Sequence, residues 1–172
     1  MTKLNFKIIM PIALFVGRFQ PLHKGHVKVI KDLVKQFEKV IIAIGSIQEK
    51  RTEKNPFSFY ERKKMLELVF KQEISSGKIE IIGVRDENND QKWTSKILKR
   101  VKFDIVVTGN PWVAECFKNK KPVKIIKLWK PEKYSGTIIR KMIRKNKEWK
   151  KLVPKEIVSY IEKIINSKKL FS

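Results

Sequence analysis

Ile12-Ala13-Leu14-Phe15-Val16-Gly17-Arg18-Phe19-Gln20-Pro21-Leu22-His23-Lys24-Gly25-His26 is the stretch whose reading decides the fold. Five apolar residues in a row, too few for a buried helix and ending on Gly17, read as a strand covered on both faces. A turn containing Gly17 and Pro21 follows, and an amphipathic pattern opens at Gly25. A buried strand therefore hands over to a helix, and the handover carries the only two histidines of the chain. Helix N-termini expose unpaired N–H groups and the positive end of the dipole, so this junction suits phosphate. Spacing of three places both imidazoles on one helical face. Gly17 allows close backbone approach to a ligand, and Gly25 keeps space beside the rings. No cysteine or third histidine lies near enough to complete a zinc site, so no metal site is expected here.

The same alternation continues along the chain. Strand-like runs at 12–16, 40–45, 79–84, 103–108 and 123–128 are separated by helix-like patterns at 25–37, 58–71, 95–101 and 112–117. Two further helices are expected at 137–145 and 154–165. Continuous Val/Ile runs alternating with amphipathic helices predict a doubly wound α/β fold: one parallel sheet covered on both faces, with ligands at the carboxyl ends of the strands. With 172 residues, a single domain is expected over 1–172, its core at about 12–150 and a C-terminal helical cap at about 151–168. Ser58 with Glu61 reads as a capping box. Arg62, the next residue, reads either as a solvated surface charge or as a ligand.

Composition narrows the function classes. Lys plus Arg number 40 against 17 Asp plus Glu, a formal charge of +23. The cations are spread over the whole length and not gathered in a tail or stripe, so nucleic-acid binding is not the expected role. A general positive field attracts anionic small molecules in any case. The single cysteine, Cys116, reads as a buried small hydrophobe. Residues 1–16 imitate a signal peptide, but Pro11 interrupts the apolar run and its second half is needed as the first strand. No run reaches membrane-spanning length, and a cytoplasmic location is expected.

The stretch Gly17 to His26 resembles the signature of the HxGH nucleotidyltransferase superfamily. Tyr134-Ser135-Gly136-Thr137-Ile138-Ile139-Arg140 resembles its second phosphate motif, a Ser/Thr pair at a helix N-terminus with an arginine one turn in. Ser135 or Thr137 can bind freed N–H groups or phosphate oxygens, and Arg140 offers a fixed fork of donors. Gly45-Ser46-Ile47-Gln48, Asn55-Pro56-Phe57-Ser58 and Thr108-Gly109-Asn110-Pro111 sharpen the match. In that order, and with Phe19-Gln20-Pro21 in the first motif, they resemble the archaeal-type nicotinamide mononucleotide (NMN) adenylyltransferases from about residue 12 to 165. Two departures stand out. Glu49-Lys50-Arg51-Thr52 lacks the family's histidine, and Asp90 occupies the position of an asparagine that reads the nicotinamide amide.

The resemblance implies ATP + NMN giving NAD and pyrophosphate. The NMN phosphate is already ionised near neutral pH, so attack on the ATP α-phosphorus needs no general base; alignment and charge neutralisation carry the reaction. It implies His23, His26, Arg18 and Arg140 as the catalytic phosphate-handling groups. Gly17, Phe19, Gly25, Asn110, Pro111, Tyr134, Ser135, Thr137 and Ile139 would bind ATP, and Gly45, Ser46, Lys54, Asp86, Asp90 and Trp93 the NMN half. Trp93 reads equally as a stacking partner for a base or as a core residue; Trp112 and Trp129 read as packing, Trp129 closing a strand. Mg²⁺ would arrive on ATP and keep most of its waters. A homo-oligomer is implied. Two alternatives stay open: another acceptor (nicotinic acid mononucleotide, FMN or phosphopantetheine), or a non-catalytic basic RNA- or nucleotide-binding protein.

Overall fold

The computed structural model describes residues 10–167 and residue 170. The first nine residues of the signal-like segment and residue 168 of the expected cap lie outside the described residues. Five strands form one sheet: β1 (Ile12–Gly17), β2 (Lys39–Ile44), β3 (Ile79–Gly83), β4 (Ile105–Thr108) and β5 (Val123–Ile125). All neighbours pair in parallel, in the order β3-β2-β1-β4-β5. The chain builds outward from β1 through β2 to β3, then returns to lay β4 against the other side of β1. That reversal leaves a crevice beyond the carboxyl ends of β1 and β4, where open α/β sheets hold ligands.

Helices cover both faces, as the uninterrupted apolar strands require: Ala13, Leu14, Val40, Ile42, Ala43 and Ile44 are fully buried. One core unites α1 (Lys24–Gln36), α2 (Phe59–Val69), α6 (Gly136–Arg144) and α7 (Val158–Ser167) over one face of the sheet. On the other face, Trp93 and Ile97 of α4 (Asp90–Arg100) and Val113, Cys116 and Phe117 of α5 (Pro111–Phe117) pack against Leu14, Ile41 and Val106. Cys116 is buried as expected, and burial pushes its thiol pKa up.

Several boundaries differ from the sequence expectation, each for a local reason. The 58–71 pattern is two helices, because Phe70 leaves helical geometry before α3 (Lys71–Ser75). Asn89 accepts a hydrogen bond from the Lys92 N–H at 2.8 Å, so α4 starts at Asp90, ahead of residue 95. The fifth strand stops at Ile125, three residues early; it pairs with β4 alone, and its last residue is 73% exposed. The last helical region opens with two short 3₁₀ segments, Lys150–Leu152 and Lys155–Ile157, before α7. No helix among the described residues is long and apolar enough to cross a membrane.

Candidate active site at the switch point

The crevice beyond β1 and β4 holds a cavity of about 340 Å³. Gly17, Arg18, Phe19, His23, Gly25 and His26 line it from the first motif, and Tyr134, Ser135, Thr137 and Arg140 from the second. Asn110 closes it from the end of β4. Two segments more than a hundred residues apart thus share one pocket.

The imidazoles are fixed by packing. His23 is the N-cap of α1, and its Nδ1 accepts the backbone N–H of His26 at 3.3 Å. A nitrogen that accepts carries no proton, so the proton sits on Nε2. The two rings stack with centroids 3.6 Å apart and planes 19° apart, and His26 meets the edge of Phe19 at 4.8 Å. Burial lowers the His23 pKa to about 4. His26 falls well below its usual value through burial, reinforced by the facing His23. Both rings are therefore neutral near pH 7 and carry no charge of their own into the cavity. The His26 Nδ1 is buried with no hydrogen-bond partner.

The positive charge comes from guanidinium groups. Arg140, 9% exposed, donates to the carbonyls of Gln20 at 2.9 Å and Glu53 at 3.1 Å and to the Thr137 hydroxyl at 3.2 Å. Burial lowers its pKa, and the neighbouring Arg18 cation lowers it further. Ser135 is the N-cap of α6 but makes no capping hydrogen bond with its side chain. The first N–H groups of that helix are therefore not claimed by a side-chain cap, and its first residues line the cavity. A Cβ at Gly136 would lie 3.0 Å from both Arg140 Nη1 and the Gln20 carbonyl, so a larger residue there would push on this contact. At Gly25 the added carbon would meet Tyr134 at 2.9 Å and the His23 ring at 3.1 Å; its role is to let α1 close against Tyr134 as well as to make room beside the histidines.

Arg62 is neither a surface charge nor a ligand. Fully buried, it donates to the carbonyls of Arg18 at 2.8 Å, Gly45 at 2.7 Å and Ser46 at 3.0 Å. Burial lowers its pKa to about 10, with the Asp86 carboxylate opposing the shift and Arg18 adding to it, so it stays charged at neutral pH. Its position immediately after the capping box, which forms as expected through Ser58 and Glu61, aims it at the sheet. Gln20 is a second residue whose role was not read from sequence. Buried, it exchanges two hydrogen bonds with the Phe57 backbone, at 2.8 and 2.9 Å. The only signal was its place between Phe19 and Pro21 in the motif.

Other expected residues lie elsewhere. Ile139 is fully buried in the core on the inner face of α6 and cannot frame a nucleotide with its side chain. Pro111 is exposed at the start of α5 and does not line the cavity. Trp129 does not close a strand; it lies beyond β5, lines the cavity and stacks on Tyr134 at 4.7 Å and 10°. Trp93, 2% exposed, packs against Trp112 and Phe117, while Trp112 is 45% exposed rather than a packed interior residue. Gly45, Ser46, Asp86, Asp90 and Trp93 do not line the cavity. Asp86 accepts from the Ser46 N–H at 3.2 Å and from the Gln48 amide at 3.1 Å, tying the ends of β2 and β3 together. Asp90 is exposed on the first turn of α4, and Lys54 borders a neighbouring groove.

The cytidylyltransferase-like family model matches residues 14–142. A nicotinamide-nucleotide adenylyltransferase of Thermococcus sibiricus is 40% identical over 155 residues, covering 88% of this chain and 83% of that protein. The Archaeoglobus fulgidus enzyme of the same name is 35% identical over 164 residues, 92% of this chain and 94% of that one. A bifunctional NMN adenylyltransferase/ADP ribose pyrophosphatase of Francisella tularensis, crystallised with AMP and a manganese ion, shares the fold with a TM-score of 0.78 at 24% identity. The match covers 94% of this chain but about half of that larger protein, 51%.

Two outcomes follow from this geometry. The unfolded chain titrates its histidines near 6.5 while the native rings stay neutral, so the unfolded state binds more protons below that pH. Stability is intact above about pH 7 and falls as pH drops toward 4, by about 3 kcal/mol at most from His23. Thermal melts between pH 7.5 and 4 should show this loss, and His23→Asn, which keeps an N-cap acceptor, should flatten it; an unchanged slope contradicts buried neutral imidazoles. Arg62→Leu should strip three carbonyls, two of them buried, of their donor and cost about 3 kcal/mol, lowering the melting midpoint by roughly 6–12 °C. A midpoint within a degree of wild type would show those contacts to be dispensable.

Proposed function

We propose that this chain, which belongs to the cytidylyltransferase-like family and within it to the nicotinamide-nucleotide adenylyltransferases, transfers the adenylyl group of ATP to NMN, forming NAD and pyrophosphate. One observation carries the site assignment: both phosphate motifs converge on a single cavity at the β1/β4 switch point. That cavity is rich in donors and cations and has no carboxylate in its lining.

The chemistry asked of the protein is positioning and charge neutralisation. The ionised NMN phosphate attacks the α-phosphorus of ATP in line, and pyrophosphate leaves. In this reading the Nε2–H of His23 and the ring of His26 donate to the α- and β-phosphates as charge builds on them. Neutral donors serve this purpose because their hydrogen bonds strengthen with the developing charge, without a fixed cation that would hold the ground state as tightly. Arg18, Arg140 and the N–H groups at the start of α6 hold the outer phosphates. Arg18 already lowers the pKa of both Arg62 and Arg140, a crowding of like charges that a polyphosphate relieves. Asn110 and the Trp129–Tyr134 stack border the adenosine side.

The NMN half would lie beyond β2 and β3, near Gly45, Ser46 and Asp86, with Asp90 and Trp93 behind them. Asp90 can accept from the amide NH₂ of nicotinamide but cannot donate to its carbonyl. The donor set does not fit a resident metal: no group of three His, Cys, Asp or Glu residues able to hold an ion occurs among the described residues. In this reading Mg²⁺ arrives on ATP, held by its phosphate oxygens and water.

Incubation with ATP, Mg²⁺ and NMN should produce NAD and pyrophosphate. Product formed only from nicotinic acid mononucleotide, FMN or phosphopantetheine would replace the acceptor and leave the adenylyl transfer standing. No turnover with any acceptor, together with salt-sensitive RNA binding, would favour the non-catalytic alternative. His23→Ala and His26→Ala should each lower kcat by about 10²–10³ while the KM for ATP changes little. Equal losses in both parameters would contradict a role confined to the transition state.

A further inference from the structure

We propose that the phosphate pocket continues into a second anion groove that accepts one more phosphate, so that the enzyme exchanges adenylyl groups with tripolyphosphate as well as pyrophosphate. The inference rests on the adenylyltransferase reading above. The groove is a separate cavity of about 730 Å³, within the range of small-molecule sites. Six cations line it, Arg18, Lys54, Arg140, Lys141, Arg144 and Lys145, against one carboxylate, Glu53.

Three features distinguish it from a wet basic surface. It shares Arg18, Thr137 and Arg140 with the first cavity, so the two spaces meet at the groups assigned to the outer phosphates. Its long wall is one face of α6: positions 137, 140, 141, 144 and 145 recur at helical spacing, from the N-terminal turn to the C-cap. At about 1.5 Å per residue that wall runs about 12 Å beyond the start of the motif, room for a chain longer than pyrophosphate. Finally, Glu53 already pairs with Arg144, while Lys54, Lys141 and Lys145 have no ion-pair partner among the described residues. Glu53 also accepts from Arg140 through its backbone carbonyl, which anchors the far side of the groove to the first cavity.

The step balances without an added oxidant or reductant. A terminal oxygen of tripolyphosphate attacks the adenylyl phosphorus of NAD. The new P–O bond makes adenosine 5′-tetraphosphate, and the P–O bond to the NMN phosphate breaks, NMN leaving with the electron pair as its phosphate monoester. This is the reverse of adenylyl transfer with the attacking chain one phosphate longer.

The test supplies the full chain with NAD, Mg²⁺ and either pyrophosphate or tripolyphosphate, and identifies products by mass spectrometry. The expected result is ATP from the first and adenosine tetraphosphate from the second, with rates within about tenfold of each other. The paired change Lys141→Glu and Lys145→Glu should raise the KM for tripolyphosphate about tenfold and that for pyrophosphate less than about threefold. The retained pyrophosphate reaction also reports that the variant is folded. ATP formation without any tetraphosphate would overturn the extended groove and leave the adenylyltransferase reading intact. Equal KM changes for both anions would overturn it as well, by placing the two lysines on the ordinary pyrophosphate path. Cleavage of NAD with neither anion would overturn both readings together.

Discussion

Parallel strands end with carbonyls that the ladder no longer satisfies, and at a ligand-binding edge no helix can be placed over them without filling the site. Arg62 resolves this for β1 and β2. One buried guanidinium takes the carbonyls of Arg18, Gly45 and Ser46, and so fixes the relative position of the two turns that leave the sheet. Its five donors in a planar fork suit it to several carbonyls at once, which a single ammonium could not match. The capping box of α2 points it, and the Arg51–Glu61 pair braces the same helix start from outside. The floor beneath the two turns is thus built from a charge that is itself fully buried.

Arg140 performs the complementary task between chain ends. It reaches from α6 to the Gln20 carbonyl, and Gln20 in turn pairs with the Phe57 backbone. First motif, second motif and the loop before α2 are held by one relay of hydrogen bonds whose members are all buried. Fully satisfied buried polar networks of this kind are rigid, because any partial arrangement leaves a desolvated group without a partner. Rigidity suits adenylyl transfer, which gains from alignment and from donors already in place. The stacked imidazoles fit that logic: desolvation keeps them neutral, and the Nδ1 of His23 is used by the helix cap, which leaves its Nε2–H as the donor.

The periodicity of the strands and of α1 was legible because a strand covered on both faces must be apolar throughout, and each expected strand is found. The phosphate motifs were legible because helix starts, glycines and basic forks follow local rules. Arg62 was not. A lone arginine on an amphipathic helix has the same sequence appearance whether it meets solvent or three carbonyls, and the difference lies in strands some 16 to 44 residues away. Ile139 failed for a related reason: neighbours in a motif share a sequence but not a face, and its side chain points from α6 into the core while Arg140 turns toward Gln20. Trp129 erred in the other direction, assigned to packing when the early end of β5 leaves it beside the cavity.

By itself the sequence determined the α/β alternation and the two motifs that flank the cavity, both of which are written in residue type and spacing along the chain. Tertiary structure decided which carbonyls a buried cation would hold, that the histidines would be neutral, and that a cationic groove would open beside the cavity at the switch point. Those outcomes depend on desolvation and on distances between segments far apart in sequence, quantities that exist only once the chain has closed on itself.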